Sequence, residues 1–207
     1  MKIELEQVSP HEIEKRSFEI ITEELNGRTF PEDQELVVKR CIHTSADFDY
    51  ADNLCFSEHA VAKGIEAIRE GACIVTDTQM ARSGINKKVL ARHGGEALCF
   101  MSDEDVAARA KETVSTRAAE LDKKLIIAVG NAPTALVRLY ELIGEGKIKP
   151  ALIIGVPVGF VNVVQSKELI MQTNIPYIVA RGRKGGSNIA ACICNALLYM
   201  MDQDRGY

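Results

Sequence analysis

The sequence predicts a three-layer α/β/α protein: a doubly wound, five-stranded, mainly parallel sheet with a helical extension at its N-terminus. Three observations predict it. Five short apolar runs, ACIVTD, EALCFM, KLIIAVG, ALIIGV and PYIVA, alternate with helix-compatible stretches from residue 72 onward. Runs of this length bounded by Gly or Pro suit parallel strands buried on both faces. Three of them lead into glycine-bearing turns, GNAPT at 130–134, GVPVGF at 155–160 and RGRKGGS at 181–187, and open α/β sheets bind ligands where their strands exit at the carboxyl edge. Two helix-periodic segments come before every strand candidate, and right-handed crossovers then wind the later helices onto both faces.

Taken in order, Ser9-Pro10 opens a helix to about Leu25, with Ile13, Ser17, Ile20, Ile21 and Glu24 along one face. Gly27 and Pro31 break it. The segment PEDQELVVKRCIHT is the second helix, its acidic first turn complementing the dipole. A third runs from Ser57-Glu58 to Arg69-Glu70, where Gly71 ends it before the first strand. Between EALCFM and KLIIAVG, the charged stretch SDEDVAARAKETVSTRAAELDKK reads as a long helix, and Asn131-Ala132-Pro133-Thr134 starts another with a capping residue and an early proline. Ser187 is expected to cap the last helix, SNIAACICNALLYMM. One domain results, with residues 1–55 as the helical extension and 56–207 as the doubly wound core.

Composition narrows the ligand. A chain of 207 residues with 46% hydrophobic and 26% charged content is an ordinary globular protein, and its net charge of −4 argues against general attraction to nucleic acid. No apolar stretch approaches the roughly 18 residues of a membrane span, so a cytoplasmic protein is expected. Six cysteines contain no C-x-x-C pair, which argues against a zinc or redox site; Cys73, Cys99 and Cys192 read as small buried hydrophobes. Walker A, G-x-G-x-x-G, G-x-S-x-G, H-E-x-x-H and EF-hand patterns are missing, which disfavours nucleotide-dependent transfer, hydrolysis and metal catalysis.

The basic residues concentrate in Arg181-Gly-Arg183-Lys184-Gly185-Gly-Ser187. Exposed backbone N–H groups, a following helix N-terminus and arginine forks together suit anionic groups. A solvated basic turn is the bland alternative, and an ordinary strand-to-helix turn is the alternative for GNAPT. Helical spacing aligns Leu36, Arg40, His43 and Asp47 on one face of the second helix, where a cation and a carboxylate would tune His43 as proton donor or acceptor. A surface histidine in a salt-bridged helix is the alternative there, and Ser17 reads equally as a small residue at a helix contact. His11, His59 and His93, each near a helix start or glycine turn, read as structural or solvent-facing.

Six segments combine in order: Arg40-Cys-Ile-His43-Thr, Thr76-Asp-Thr-Gln-Met80 with Gly84-Ile85, Ser115-Thr116-Arg117, GNAPTAL from 130, PVGFV from 157 with Ser166-Lys167, and RGRKGGS from 181. Together they resemble the precorrin-8X methylmutase family, from about Ser17 to Asn195. Two departures stand out: Thr76 where members often carry cysteine, and Gln165 where a glutamate usually precedes Ser-Lys. The resemblance implies a flavodoxin-like fold, a homodimer with its active site at the interface, and a 1,5-sigmatropic shift of a methyl group from ring carbon 11 to 12 of a tetrapyrrole polycarboxylate. It implies no external cofactor, any cobalt belonging to the substrate, and the HTSADFDY segment suggests the cobalt-containing branch.

By matching position, His43 is the expected acid–base residue, and Ser17, Arg40 and Arg117 are substrate-side residues. Asn131, Thr134, Gly159, Arg181, Arg183, Gly185 and Ser187, with Lys184, are expected to line the rim that receives the carboxylates. A non-catalytic tetrapyrrole carrier is the alternative; it would keep the basic rim without needing a titratable His43.

Overall fold

Apolar side chains at every position of a strand require cover on both faces, and the computed structural model, which describes residues 6–9, 12–99 and 123–201, shows that arrangement. Strands β2 (Cys73–Thr76), β4 (Leu125–Val129) and β5 (Leu152–Gly155) are buried throughout. With β3 (Glu96–Cys99) and β6 (Tyr177–Ala180) they form the expected parallel set, in the spatial order β3-β2-β4-β5-β6. This is the flavodoxin-like order of doubly wound sheets, and the strand order reverses between β2 and β4.

Among the described residues the sheet has six strands rather than five. The additional strand, β1 (Leu54–Phe56), pairs antiparallel with β6 at one edge, Leu54 opposite Ala180 and Phe56 opposite Ile178. Half-buried at each position, its Leu-Cys-Phe run is apolar but only three residues long, shorter than the runs that mark a strand in sequence.

Side-chain alternation along the strands divides the core. From β4, Ile126 and Ala128 enter a cluster shared with α1 (Ile13–Glu24), α2 (Glu32–Ser45), α3 (Tyr50–Asn53), α4 (Ala60–Arg69), α5 (Gln79–Gly84), α6 (Lys87–Arg92) and α9 (Ser187–Tyr199). Leu125, Ile127 and Val129 enter the opposite cluster with α7 (Pro133–Gly144) and α8 (Val163–Met171). The N-terminal helices thus share a core with the sheet, because α2 lies against α9, the most apolar of the described helices. On the same face, Gly64 lets α4 approach the sheet and α9: a Cβ there would lie 2.8 Å from Leu152 of β5 and 3.0 Å from Leu197 of α9.

Two local expectations change. Gly186, at φ 137°, takes the cap position of α9, which leaves Ser187 as its first helical residue, with its Oγ accepting a hydrogen bond from Thr78 Oγ1 at 2.8 Å. The first helix begins at Ile13 rather than at Ser9-Pro10. His11, Arg117 and the long helix expected between β3 and β4 lie outside the described residues, apart from Lys123 and Lys124 at its end.

The strand-order reversal brings the ends of β2 and β4 together, and Asp77 joins them. Its carboxylate, 1% exposed, accepts the backbone N–H groups of Gly130, Asn131 and Ala132 at 2.9, 2.8 and 2.7 Å. Replacing Asp77 by Ala strands these donors and should cost about 3 kcal/mol or more. Asp77→Asn, which keeps one acceptor oxygen, should cost less. Urea unfolding checks both, and a loss below about 1 kcal/mol for Asp77→Ala would contradict this role.

Candidate functional site

The turn at 181–187 is fixed from several sides. Beneath it, the fully buried Lys167 of α8 donates through Nζ to the carbonyls of Gly182 and Lys184 at 2.8 and 2.9 Å. Gly159 N donates to Arg183 O at 3.1 Å, joining this turn to the one after β5, and Gly186 N donates to Val156 O at 2.9 Å. Gly185 has no room for a side chain: a Cβ there would lie 2.1 Å from Val156 O, at φ 154°. Burial pulls the Lys167 ammonium down to about 8, and the neutral amine still carries enough hydrogens for both carbonyls.

From above, Lys184 Nζ reaches the carboxylates of Asp47 and Asp49, each at 2.6 Å. This contact holds the Asp47 carboxyl below its usual range and raises the Lys184 ammonium. Asp47 lies just beyond the end of α2, whose last turn carries His43. The strand-end turn and the histidine helix are therefore joined across 137 residues of sequence.

His43 itself is exposed, with its ring edge-on to Phe18 at 5.5 Å between centroids. One turn back, Arg40 is 7% exposed, its guanidinium 4.6 Å from the ring centre of Tyr199, 5.6 Å from that of Phe18 and 3.1 Å from the Glu14 carboxylate. Arg40 thus braces Phe18, the ring beside His43. Ser17, on α1, donates to Ile13 O at 2.8 Å, while Thr44 Oγ1 donates to Cys192 Sγ at 3.1 Å at the α2–α9 seam.

The remaining candidates divide. Gly159, Arg183, Gly185 and Ser187 share the joined turns, with Asn131 next to them through Asp77 and the Thr78–Ser187 bond. Thr134 instead lines a hollow of about 420 Å³ between α7 and α8 with Gln165, on the opposite side of the sheet from α2. Charge on the rim is also largely committed: Arg181 pairs with Glu168 at 3.1 Å, and Lys184 with its two aspartates. Thr76, at the position of one departure from the family pattern, is fully buried, with its hydroxyl 3.0 Å from Thr78 O and 3.2 Å from Leu98 O.

Asp77, Lys167 and Phe160 had no assigned role in the sequence. Asp77 and Lys167 stood inside recognised segments, but aspartate and lysine read as solvent-facing without tertiary context. Phe160 carried a signal, an aromatic between Gly159 and Val161, that reads equally as core.

A flavodoxin-like sheet whose carboxyl edge carries glycine turns and an arginine, tied through Lys184 and Asp47 to the helix of an exposed histidine, defines an α/β protein with an edge chemically suited to a small anionic ligand. The family model for CbiC, precorrin-8X methylmutase, matches residues 12–200. The cobalt-precorrin-8 methylmutase of Priestia megaterium is 44% identical, covering 97% of this chain and 92% of its own length, and that of Leptospira interrogans is 46% identical, covering 94% of each. The crystal structure of precorrin-8X methyl mutase from Thermus thermophilus superposes with a TM-score of 0.85 at 38% identity, covering 93% of this chain and 98% of that one. The chain belongs to the precorrin-8X methylmutase family.

Lys167 gives the site a pH signature. The unfolded chain keeps this ammonium to about 10.5 and the folded chain releases its proton near 8, so between these values the unfolded state binds more protons and stability rises with pH. Comparing chemical unfolding of wild type and Lys167→Met from pH 7 to 10.5 should show that rise in wild type and its loss in the variant. Equal slopes would contradict the burial of this charge.

Proposed function

We propose that this chain is the isomerase of cobalamin biosynthesis that moves a methyl group from ring carbon 11 to ring carbon 12 of a precorrin-8 macrocycle, giving hydrogenobyrinate or, with cobalt in the substrate, cobyrinate. Family membership over residues 12–200 supplies the reaction class. The structural observation that carries the reading is the bridge from Lys184 to Asp47 and Asp49, which joins the helix of His43 to the anion-suited turn. The names of the Priestia and Leptospira relatives support the cobalt-containing substrate.

An intramolecular methyl shift needs no nucleophile, hydride carrier or external cofactor. The protein must hold a reactive conformer and manage one proton on the conjugated system. His43, exposed at the end of α2, is the acid–base group; Phe18 orients its ring, and Arg40 acts through Phe18. The turns receive the acetate and propionate groups through Arg183 and backbone N–H donors. In this reading the protein works in the cytoplasm as a homodimer whose second copy completes the site, and Ser17 and Arg117 contact the substrate. Among the described residues, no helix is long and apolar enough to cross a membrane.

Turnover is read from the chromophore, since methyl migration changes its conjugation. Wild type incubated anaerobically with precorrin-8X or cobalt-precorrin-8 should give the product spectrum. His43→Ala should lose about 100-fold or more of the single-turnover rate while still binding product. Near-normal single turnover by His43→Ala would remove the acid–base role, and wild-type binding without conversion would favour a carrier.

A further inference from the structure

The turn after β5 projects three apolar side chains into solvent, Val158, Phe160 and Val161, and Phe160 is 79% exposed. An exposed aromatic ring forgoes burial, so its position needs a reason. Over this ring sits the Arg183 guanidinium, 5.2 Å from the centroid, and the two turns are tied by the bond from Gly159 N to Arg183 O. Arg183 also differs from its neighbours. Arg181, Lys184 and Lys167 are engaged with Glu168, with Asp47 and Asp49, and with backbone carbonyls, whereas no carboxylate pairs with Arg183 among the described residues.

We propose that Phe160 and Arg183 form one contact platform for the substrate, Phe160 lying against the flat conjugated face of the macrocycle and Arg183 taking one of its carboxylates. The proposal rests on the tetrapyrrole function above. A guanidinium uses its π-face to stack on an aromatic ring and its in-plane N–H groups to fork a carboxylate, so both contacts are made at once. The apolar patch and its adjoining uncommitted cation match a ligand that is apolar across its face and anionic around its rim. Phe160 is a specificity residue under this assignment, distinguishing a planar macrocycle from other polycarboxylates of similar charge.

The test titrates hydrogenobyrinate or cobyrinate, followed by absorbance, into wild type, Phe160→Ala, Phe160→Trp and Arg183→Gln, with sedimentation velocity on each protein. Phe160→Ala should raise Kd about tenfold at unchanged oligomeric state, as loss of a stacked ring does elsewhere, and Phe160→Trp should stay within about threefold of wild type. Arg183→Gln should weaken binding and flatten its salt dependence. Wild-type binding with an unchanged Kd in Phe160→Ala overturns the platform alone. Loss of self-association in Phe160→Ala, with normal affinity in the associated fraction, also overturns it and gives the patch to a second copy of this chain. Wild type that binds neither hydrogenobyrinate nor cobyrinate overturns the functional reading and the platform with it.

Discussion

Lys167 is an ammonium group with no access to water, and the functional edge of the molecule is organised around it. Its side chain rises from α8 to meet two carbonyls of the turn after β6, replacing the solvent that those carbonyls and the charge itself would otherwise require. Held at that point, the turn can offer its Gly186 amide to Val156 and its Arg183 carbonyl to Gly159, and can send Lys184 outward to Asp47 and Asp49. The end of the histidine helix is thereby referred to the sheet. His43, on a helix that precedes every strand in sequence, is tied to the same edge as turns near the C-terminus.

The same bonds decide where charge remains. A glycine-rich basic turn suggests a broad anion cradle, yet its lysine and one of its arginines are neutralised within the protein, and Asp77 takes the amides at the start of α7. Such internal pairing prevents a dense positive patch from attracting any polyanion, in keeping with a net charge of −4. A few groups remain directed outward. Arg183 and Phe160 face outward together, and His43 stands at the end of the braced helix beside Phe18.

Much of this was legible from residues alone. Parallel strands announced themselves because burial on both faces demands continuous apolar runs, whereas Gly185, read as part of an anion-suited turn, proves to be a place where backbone packs against the backbone of Val156. The edge strand β1 was not legible, since three half-buried residues carry no periodicity. Ser187 looked like a cap because serine precedes an apolar helix, but Gly186 adopts the cap geometry and frees the hydroxyl for Thr78. Lys167 and the Lys184–Asp47 contact depend on segments distant in the chain, which spacing rules do not reach. His43 was picked out by its ordered neighbours within the family pattern more than by any local rule, and the structure supplies the physical link from it to the rim.

The most direct measurement is a crystal structure of wild type with hydrogenobyrinate bound. The macrocycle should lie across the turns at 157–161 and 181–187, with a carboxylate on Arg183 and the His43 imidazole within hydrogen-bonding reach of the ring system, directly or through one water. A macrocycle seated elsewhere, such as the hollow of about 430 Å³ formed by Lys15, Phe18, Glu19, Thr22 and Glu23 on α1, with the turns empty, would contradict it.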